Sequence, residues 1–237
     1  QDGSYLTELL LKKNYKVYGI IRRNSVVEHQ KNRIDHLSKN LDVEYGDLLN
    51  ESSISQLLKK IKPNEIYNLA AQSHVRISFD IPELTAKINA IGTLNLLQAY
   101  KNETPNSKFY QASSSEMFGR SVDKDGFQRE KTPFEPTSPY GCSKVFSHNL
   151  VKHYRHAYNL FACNGILFNH ESPRRGSNFV TNKVVKNSVK ISLGLQKLLE
   201  VGNIHSYRDW GHAKDYVRAM HKMLNFKKAD DWVVATG

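Results

Sequence analysis

The stretch QDGSYLTELLLKKNYKVYGIIRR, residues 1–23, connects a helix to a strand. Apolar residues recur at helical spacing between residues 4 and 14, and residues 15–21 form an apolar run typical of a strand. Gly3 stands before the helix and Arg22 follows the strand. A helix that leads into a strand is half of a βαβ unit, and a glycine before its helix is typical of nucleotide-binding turns.

The same alternation continues along the chain. Further strands are predicted at residues 41–45, 65–71, 107–112 and 161–168, and further helices at residues 51–61, 82–100 and 139–158. Strands separated by helical crossovers predict an α/β fold with a doubly wound parallel sheet, Rossmann-like, covered by helices on both faces. Past residue 168 the pattern becomes irregular and richer in Arg, Asn, His and Gly. We therefore expect one domain over residues 1–168 and part of a smaller substrate-binding lobe over residues 169–237.

The two ends of the chain resemble internal boundaries. The sequence opens without Met directly before a helix, and residues 233–237 have the character of a strand and turn. A doubly wound sheet is expected to begin with a strand, so we expect the domain over residues 1–168 to lack its first strand, and the lobe to continue past Gly237. On this expectation the 237-residue chain binds a dinucleotide weakly or not at all.

Composition excludes several classes of protein. Two cysteines are too few for a disulfide framework, and no apolar run approaches the about 18 residues of a membrane span. The net charge is +11, but the basic residues are scattered in pairs with acids between them, which argues against nucleic acid. Histidines such as His153 and His156 lie among cations without ligands at metal spacing, so no metal is expected. A cytoplasmic enzyme without a membrane partner is the resulting expectation.

The residue at the end of the second strand of a dinucleotide fold selects the cofactor. An acid there bonds the 2′-hydroxyl of NAD, whereas an arginine accommodates the 2′-phosphate of NADP. Arg22 follows Gly3 at about this spacing, and no acid stands beside it. The sequence therefore favours NADP, although a simple exposed pair, Arg22-Arg23, remains an alternative.

Three segments bring reactive side chains to the carboxyl edge of the predicted sheet. Residues 69–73 follow one strand and are mostly small, so a cofactor can approach their backbone. Ser114 and Glu116 end the next strand and, at a period of two, face the same side. Tyr140 and Lys144 open a helix and share one face at a spacing of four residues.

These residue types suit hydride-transfer chemistry. The Lys144 ammonium and a positive nicotinamide would favour the Tyr140 phenolate and lower its pKa, so that Tyr140 removes a hydroxyl proton as hydride leaves the same carbon. Ser114 would polarise that hydroxyl, and Glu116 would supply a second acid or base. Tyr-x-x-x-Lys is a loose pattern, and a serine run is commonly a turn, but together at adjacent sheet ends they favour a catalytic role.

The combination resembles the extended short-chain dehydrogenase/reductase superfamily and, in detail, its GDP-mannose 4,6-dehydratase family. The resemblance covers essentially the whole chain. The segments that carry it are Tyr45–Leu48, Ile66–Leu69, Gln72–Val75, Tyr110–Ser113, Asn169–Gly176 and Arg208–Tyr216. Ser115 and the segment Asn169–Gly176 distinguish the chain from dTDP-glucose dehydratases.

The resemblance implies a reaction and a set of roles. The reaction converts GDP-mannose to GDP-4-dehydro-6-deoxy-mannose through an internal NADP redox cycle, a step of nucleotide-sugar metabolism such as fucose biosynthesis. The implied catalytic residues are Ser114, Glu116, Tyr140 and Lys144. NADP contacts are implied for Gly3, Arg22, Arg23, Asn24, Ser25, Asp47, Leu48, Leu69, Ala70, Ala71, Gln72, Ser73, Lys144, His170 and Arg175. Substrate contacts are implied for Ser114, Glu116, Tyr140, Asn169, Lys183 and Arg208.

Two alternatives remain open at this point. One is another nucleotide-sugar 4,6-dehydratase, a reductase or an epimerase of the same superfamily. The other is a non-catalytic NADP-binding regulator that keeps the fold, although such a protein would not need Glu116 together with Tyr140 and Lys144. The resemblance also implies a homodimer through the two long helices, or a homotetramer through the loop that contains Arg22-Arg23.

Overall fold

The computed structural model of the chain describes residues 1–23 and 33–237. The helices are α1 (Asp2–Lys12), α2 (Glu51–Ile61), α3 (Val75–Asp80), α4 (Pro82–Ala86), α5 (Gly92–Glu103), α6 (Pro139–Ala157), α7 (Val180–Ser192) and α8 (Ala213–Leu224). The strands are β1 (Val17–Ile21), β2 (Leu41–Tyr45), β3 (Glu65–Asn68), β4 (Lys108–Ser114), β5 (Ala162–Leu167), β6 (Asn169–Glu171), β7 (Trp210–His212) and β8 (Asp231–Val234).

The strands pair in parallel. The largest sheet has the order β3-β4-β5-β8, β1 pairs with β2, and β6 pairs with β7. Helices α3 to α5 connect β3 to β4, and α6 connects β4 to β5, since parallel neighbours need a long crossover connection. The predicted parallel α/β fold is confirmed.

Strand β4 carries the core on both of its faces. Phe109 and Tyr110, two consecutive residues of β4, are fully buried. They belong to different apolar clusters because successive side chains of a strand point to opposite faces. The Tyr110 cluster includes Met220 of α8, and the Phe109 cluster includes Leu97 of α5 and Val151 of α6. Burying one such side chain contributes about 1.5–3 kcal/mol. Helices therefore cover both faces of the sheet.

Local signals set the ends of the helices that matter for the site. The side chain of Asn50 accepts a hydrogen bond from the Ser53 amide at 3.0 Å and caps α2. Ser138 caps α6 in the same way, through the Gly141 amide at 3.0 Å. Pro139 occupies the first helical position of α6, where a missing N–H costs nothing. The first turn of α6 is thereby fixed beside the end of β4.

The single helix predicted over residues 82–100 has an irregularity in its middle. Helix α4 passes into a π-helical turn over Lys87–Ile91, which leads directly into α5. A π turn inserts one extra residue without ending the helix, so apolar spacing does not reveal it, and such turns are frequent at functional sites. Here the turn contains the buried side chain of Asn89.

The irregular part after residue 168 is more ordered than its sequence pattern indicates. It contains α7, the β6-β7 pair, α8 and β8. Helix α8 packs against α1, and β8 pairs with β5 in the main sheet. Residues 213–234, which the sequence pattern assigns to the smaller lobe, therefore belong to the main sheet and its helix layer. Helix α7 differs, since none of its residues is buried.

Gly165 of β5 provides a test of this packing. A Cβ atom added there would lie 2.8 Å from Cε2 of the fully buried Tyr110 ring, which has no space to move. We expect Gly165→Ala to lower the free energy of unfolding by about 1–3 kcal/mol, measured by urea denaturation. Gly202→Ala, where an added Cβ meets no atom within 4 Å, is the matched control. Equal stability of the two variants would contradict this account of the core.

Candidate active site

The four candidate catalytic residues lie where β4 ends and α6 begins. Ser114 is the last residue of β4, and Glu116 lies in the short 3-10 turn Ser115–Met117 that follows. Tyr140 and Lys144 lie in the first turns of α6 and are both buried. This is the carboxyl edge of the parallel sheet, where ligands bind in open α/β folds.

Lys144 ties α6 to β4. Its Nζ donates a hydrogen bond of 2.9 Å to the carbonyl of Ala112 and lies 5.7 Å from the centroid of the Tyr140 ring. Tyr140 and Lys144 thus share one helix face, as their spacing of four residues predicts. Only 4% of Lys144 is exposed, and burial lowers the pKa of its ammonium to about 8.

Glu116 lies in a turn and not in the strand that the sequence pattern predicts. The strand stops at Ser114, so the alternation of strand residues does not apply to Glu116. Instead the Ser114 hydroxyl accepts a hydrogen bond of 3.2 Å from the Glu116 amide and caps the turn. A short side chain that bonds the backbone two residues on favours a turn over a continuing strand.

The Tyr140 phenol is held in its neutral form by the groups of the chain itself. Burial is the largest cause that raises its pKa, to about 12, and the charge of Glu116 adds to it. Ser114 and Arg175 act in the opposite direction and are outweighed. The net lowering expected from Lys144 together with a positive nicotinamide is therefore not present in the chain alone. The physical reason is that desolvation penalises the phenolate more than the neighbouring groups stabilise it.

Helix α1 meets strand β6 through a partly buried hydrogen bond between Asp2 and His170. Nε2 of His170 lies 2.8 Å from Oδ2 of Asp2, and the His170 ring stacks on Tyr216 with centroids 4.3 Å apart. Burial raises the pKa of Asp2, but the His170 contact, together with the N-terminal ammonium and Arg175, outweighs burial and holds that pKa below its ordinary value. Gly3, expected before the helix, lies within the first turn of α1 and is exposed.

The residues expected around the 2′-phosphate are only partly within the described structure. Arg22 and Arg23 follow β1 and are exposed, and the Arg23 guanidinium lies 4.6 Å from the centroid of the Tyr45 ring. Asn24 and Ser25 lie outside the described residues. The exposed cations at this strand end are compatible with an anionic ligand.

The turns after β2 and β3 are fixed by side-chain amides and carboxylates. Oδ1 of Asp47 accepts a hydrogen bond from the Leu49 amide at 3.0 Å, and the Leu48 carbonyl accepts one from Asn95 at 2.9 Å. The segment Leu69–Ser73, with Leu69, Ala70, Ala71, Gln72 and Ser73, follows β3 and has no fully buried residue. The segment is thus partly open to solvent at the sheet edge, although the Ala70 amide is bonded to the Asn68 side chain at 3.3 Å.

Asn89 is a structural residue of the site that sequence reasoning missed. Its Oδ1 accepts from the Gln72 amide at 2.9 Å, and its Nδ2 donates to the Gln72 carbonyl and to Ser143 Oγ, both at 3.0 Å. It thus connects the turn after β3 with α6. A buried side-chain amide must be hydrogen-bonded. The sequence signal for Asn89 is therefore an amide at an apolar position of a predicted helix.

The expected substrate contacts lie in the part after residue 168. Asn169 opens β6 and pairs with Trp210 of β7, and Lys183 lies half-buried in α7. Arg208 is exposed and donates to the carbonyl of Tyr207. Arg175 pairs with Glu171 at 3.1 Å and lies over the Phe179 ring. The described structure does not join Lys183 or Arg208 to the catalytic candidates by any hydrogen bond.

Within residues 1–23 and 33–237, no group of three or more His, Cys, Asp or Glu side chains could hold a metal ion. None of the helices described is both long and apolar enough to cross a membrane.

Fold and site together define the class of protein. The parallel sheet and the Ser-Tyr-Lys set place the chain in the extended short-chain dehydrogenase/reductase superfamily. Among solved structures, RMD from Pseudomonas aeruginosa complexed with NADPH is similar, with a TM-score of 0.78 and 25% identity. The match covers 94% of this chain and 78% of that one.

The family within this class follows from the sequence comparison. The model of the GDP-mannose 4,6 dehydratase family matches residues 1–237. GDP-mannose 4,6 dehydratases of Drosophila melanogaster and Homo sapiens are 50% and 51% identical over the whole chain. The chain belongs to the GDP-mannose 4,6-dehydratase family. It spans 62% and 65% of the length of these two relatives.

The neutral state of Tyr140 can be measured directly. Exposed tyrosines ionise near pH 10, whereas we expect Tyr140 to stay protonated up to about pH 11 because its phenol is buried near Glu116. Removing the charge with Glu116→Gln should lower this pKa. The measurement is NMR of tyrosines labelled at Cζ, with Tyr140→Phe for assignment and the exposed Glu135→Gln as control. An equal Tyr140 pKa in Glu116→Gln and Glu135→Gln would contradict this interpretation.

Proposed function

We propose that the protein is an NADP-dependent hydro-lyase, a GDP-mannose 4,6-dehydratase, that converts GDP-mannose to GDP-4-dehydro-6-deoxy-mannose. The observation that carries the proposal is the position of Glu116 beside Tyr140. An enzyme that only oxidises or reduces a hydroxyl needs one acid–base group, which Tyr140 would supply. Here a second such group, the Glu116 carboxylate, lies near enough to Tyr140 to raise its pKa. Family membership and identities of 50–51% to relatives with this name support the same substrate and reaction.

The residues near the sheet edge fit NADP. Oε1 of Gln72 and Oδ1 of Asp2 are buried without a hydrogen-bond partner among the described residues, and as acceptors they suit the hydroxyl groups of a bound ribose. Arg22 and Arg23 offer cations for a 2′-phosphate, and the P. aeruginosa relative is complexed with NADPH. When bound, NADP supplies the acceptor that takes a hydride from C4 of the sugar and returns it to C6.

Two side chains, Tyr140 and Glu116, would move the protons of the reaction, and two more, Ser114 and Lys144, would support them. Tyr140 takes the proton of the C4 hydroxyl while Ser114 Oγ orients that hydroxyl, which yields a 4-ketone. The ketone acidifies C5, and Glu116 would remove the C5 proton and deliver it to the departing C6 hydroxyl, which leaves as water. When hydride returns to C6, the proton that Tyr140 took from the C4 hydroxyl would go to C5, which closes the proton balance. Lys144, held by the Ala112 carbonyl, supports the Tyr140 phenolate by its charge.

The nucleotide end of the substrate needs cations and amides. Lys183 and Arg208 suit the pyrophosphate, since charge-assisted hydrogen bonds to phosphate oxygens are the strong ones. Asn169, at the start of β6, offers an amide for the sugar or the nucleotide. Arg208 lies in an exposed stretch, so its approach to the substrate would accompany binding.

The assembly we propose is a homodimer through the paired long helices, or a homotetramer built from two such dimers. Exposed apolar side chains occur on these helices, with Ile91 45% and Phe146 44% exposed. Such residues favour burial in an interface. A cytoplasmic location, without nucleic-acid or membrane partners, completes the proposal.

The function is tested on the full-length protein that carries these residues. With NADP⁺ and GDP-mannose, we expect a product lighter by one water, detected by mass spectrometry. Tyr140→Phe should lower kcat by about 10²–10⁴-fold because the C4 proton has no acceptor. Glu116→Gln should stall at the 4-ketone or earlier, without loss of water. His156→Ala, an exposed change on α6, is the matched control and should leave turnover unchanged.

Two outcomes would overturn the proposal. Turnover of UDP- or dTDP-glucose without turnover of GDP-mannose would refute the substrate. Full activity of Tyr140→Phe would refute the assigned chemistry.

A further inference from the structure

A second polar cluster lies directly beneath the catalytic residues. His148 of α6 is 1% exposed, and its Nδ1 lies 3.3 Å from Ser113 Oγ. Its Nε2 lies 3.6 Å from Oδ2 of Asp231, a residue of β8. Ser113 Oγ also lies 3.2 Å from Oδ1 of Asn164, and Nδ2 of Asn164 donates to Oδ1 of Asp231 at 2.9 Å. The cluster thus joins α6 to three neighbouring strands, β4, β5 and β8.

The charges of this cluster are balanced without a proton on His148. Asp231 pairs with Arg155 at 2.5 Å and with Lys152 at 3.8 Å, both from α6. Burial, assisted by these two cations and opposed by Asp231, lowers the pKa of His148 to about 4. A neutral imidazole has one N–H donor and one acceptor nitrogen, so His148 can hydrogen-bond Ser113 Oγ through Nδ1 while its Nε2 faces Asp231.

The cluster and the candidate active site share the same two backbone segments. Ser113 stands between Ala112, whose carbonyl holds Lys144, and Ser114. His148 lies one helical turn after Lys144, on the side of α6 that faces the sheet. Two parallel connections, Lys144 to Ala112 and His148 to Ser113, therefore fix α6 against the end of β4. The reaction proposed above uses only the first of them.

We propose that the His148–Asp231 pair is a positioning device that holds Ser113, and through it the end of β4, at the distance from α6 that the catalytic residues require. Neither side chain touches the substrate, so both are positioning residues. The proposal rests on the proposed function for its kinetic consequence. Its structural consequence, the environment of Lys144, is independent of any substrate.

The kinetic test replaces His148 in two ways. His148→Leu places an apolar side chain of moderate size there and removes the hydrogen bond to Ser113 and the polar contact with Asp231, whereas His148→Gln keeps a donor and an acceptor. A misplacement of about 1 Å can cost about 10²-fold in rate. In the full-length protein with NADP⁺ and GDP-mannose, we expect His148→Leu to lower kcat by about 10–100-fold, with KM changed less than about threefold. His148→Gln should restore most of kcat, and His156→Ala should match the wild type.

The second test needs no turnover. The pKa of Lys144 is measured by NMR of labelled lysine in the ligand-free protein, where burial places it at about 8. If the cluster holds the end of β4 against α6, His148→Leu admits water and shifts this pKa upward, and His148→Gln does so less. Ser113→Ala removes a single oxygen from the opposite side of the cluster. It should shift the Lys144 pKa in the same direction, even if His148→Leu does not fold.

The outcomes separate the two proposals. A wild-type protein without GDP-mannose turnover would refute the proposed function, and the Lys144 titration would still decide the role of His148. An unchanged Lys144 pKa in Ser113→Ala and in any folded His148→Leu protein would overturn the positioning role. Equal kcat values for His148→Leu and the wild type would overturn it as well.

Discussion

The hydrogen bond from the Lys144 ammonium to the Ala112 carbonyl is the interaction on which the site depends. It joins the first turns of α6 to the end of β4, the strand that carries the core on both faces. A buried ammonium without such a partner would be costly, so the bond and the burial of Lys144 require each other. Because Tyr140 lies on the same helix face, the position of its phenol is set by this contact.

Burial shifts the pKa values of the two neighbouring groups, Tyr140 and Lys144, in opposite directions. It raises the pKa of Tyr140 to about 12 and lowers that of Lys144 to about 8, because both shifts favour the uncharged form. In the chain alone, Tyr140 is thus a neutral phenol, and the ammonium of Lys144 loses its proton more readily than that of an ordinary lysine. A cationic nicotinamide at this edge would favour the phenolate, so binding of the cofactor and activation of the base would be coupled.

The sequence predicts well those features that depend on local pattern. Strand 41–45 and helix 51–61 agree with β2 and α2 to the residue, and the spacing of Tyr140 and Lys144 gives their common face. Features that depend on contacts between distant segments are not visible in a local pattern. The turn that carries Glu116 replaces a continuing strand because Ser114 bonds its backbone, and the pairing of β8 with β5 returns the end of the chain to the main sheet.

In the proposed reaction, one cofactor bound beside Tyr140 and Glu116 would take a hydride from C4 and return it to C6 of the same sugar. The most direct measurement uses GDP-mannose labelled with deuterium at C4 and the full-length protein with NADP⁺, followed by NMR of the product. We expect the deuterium to appear at C6 of a 4-keto-6-deoxy sugar. A 4-keto-6-deoxy product without deuterium at C6, or oxidation at C4 without loss of water, would contradict it.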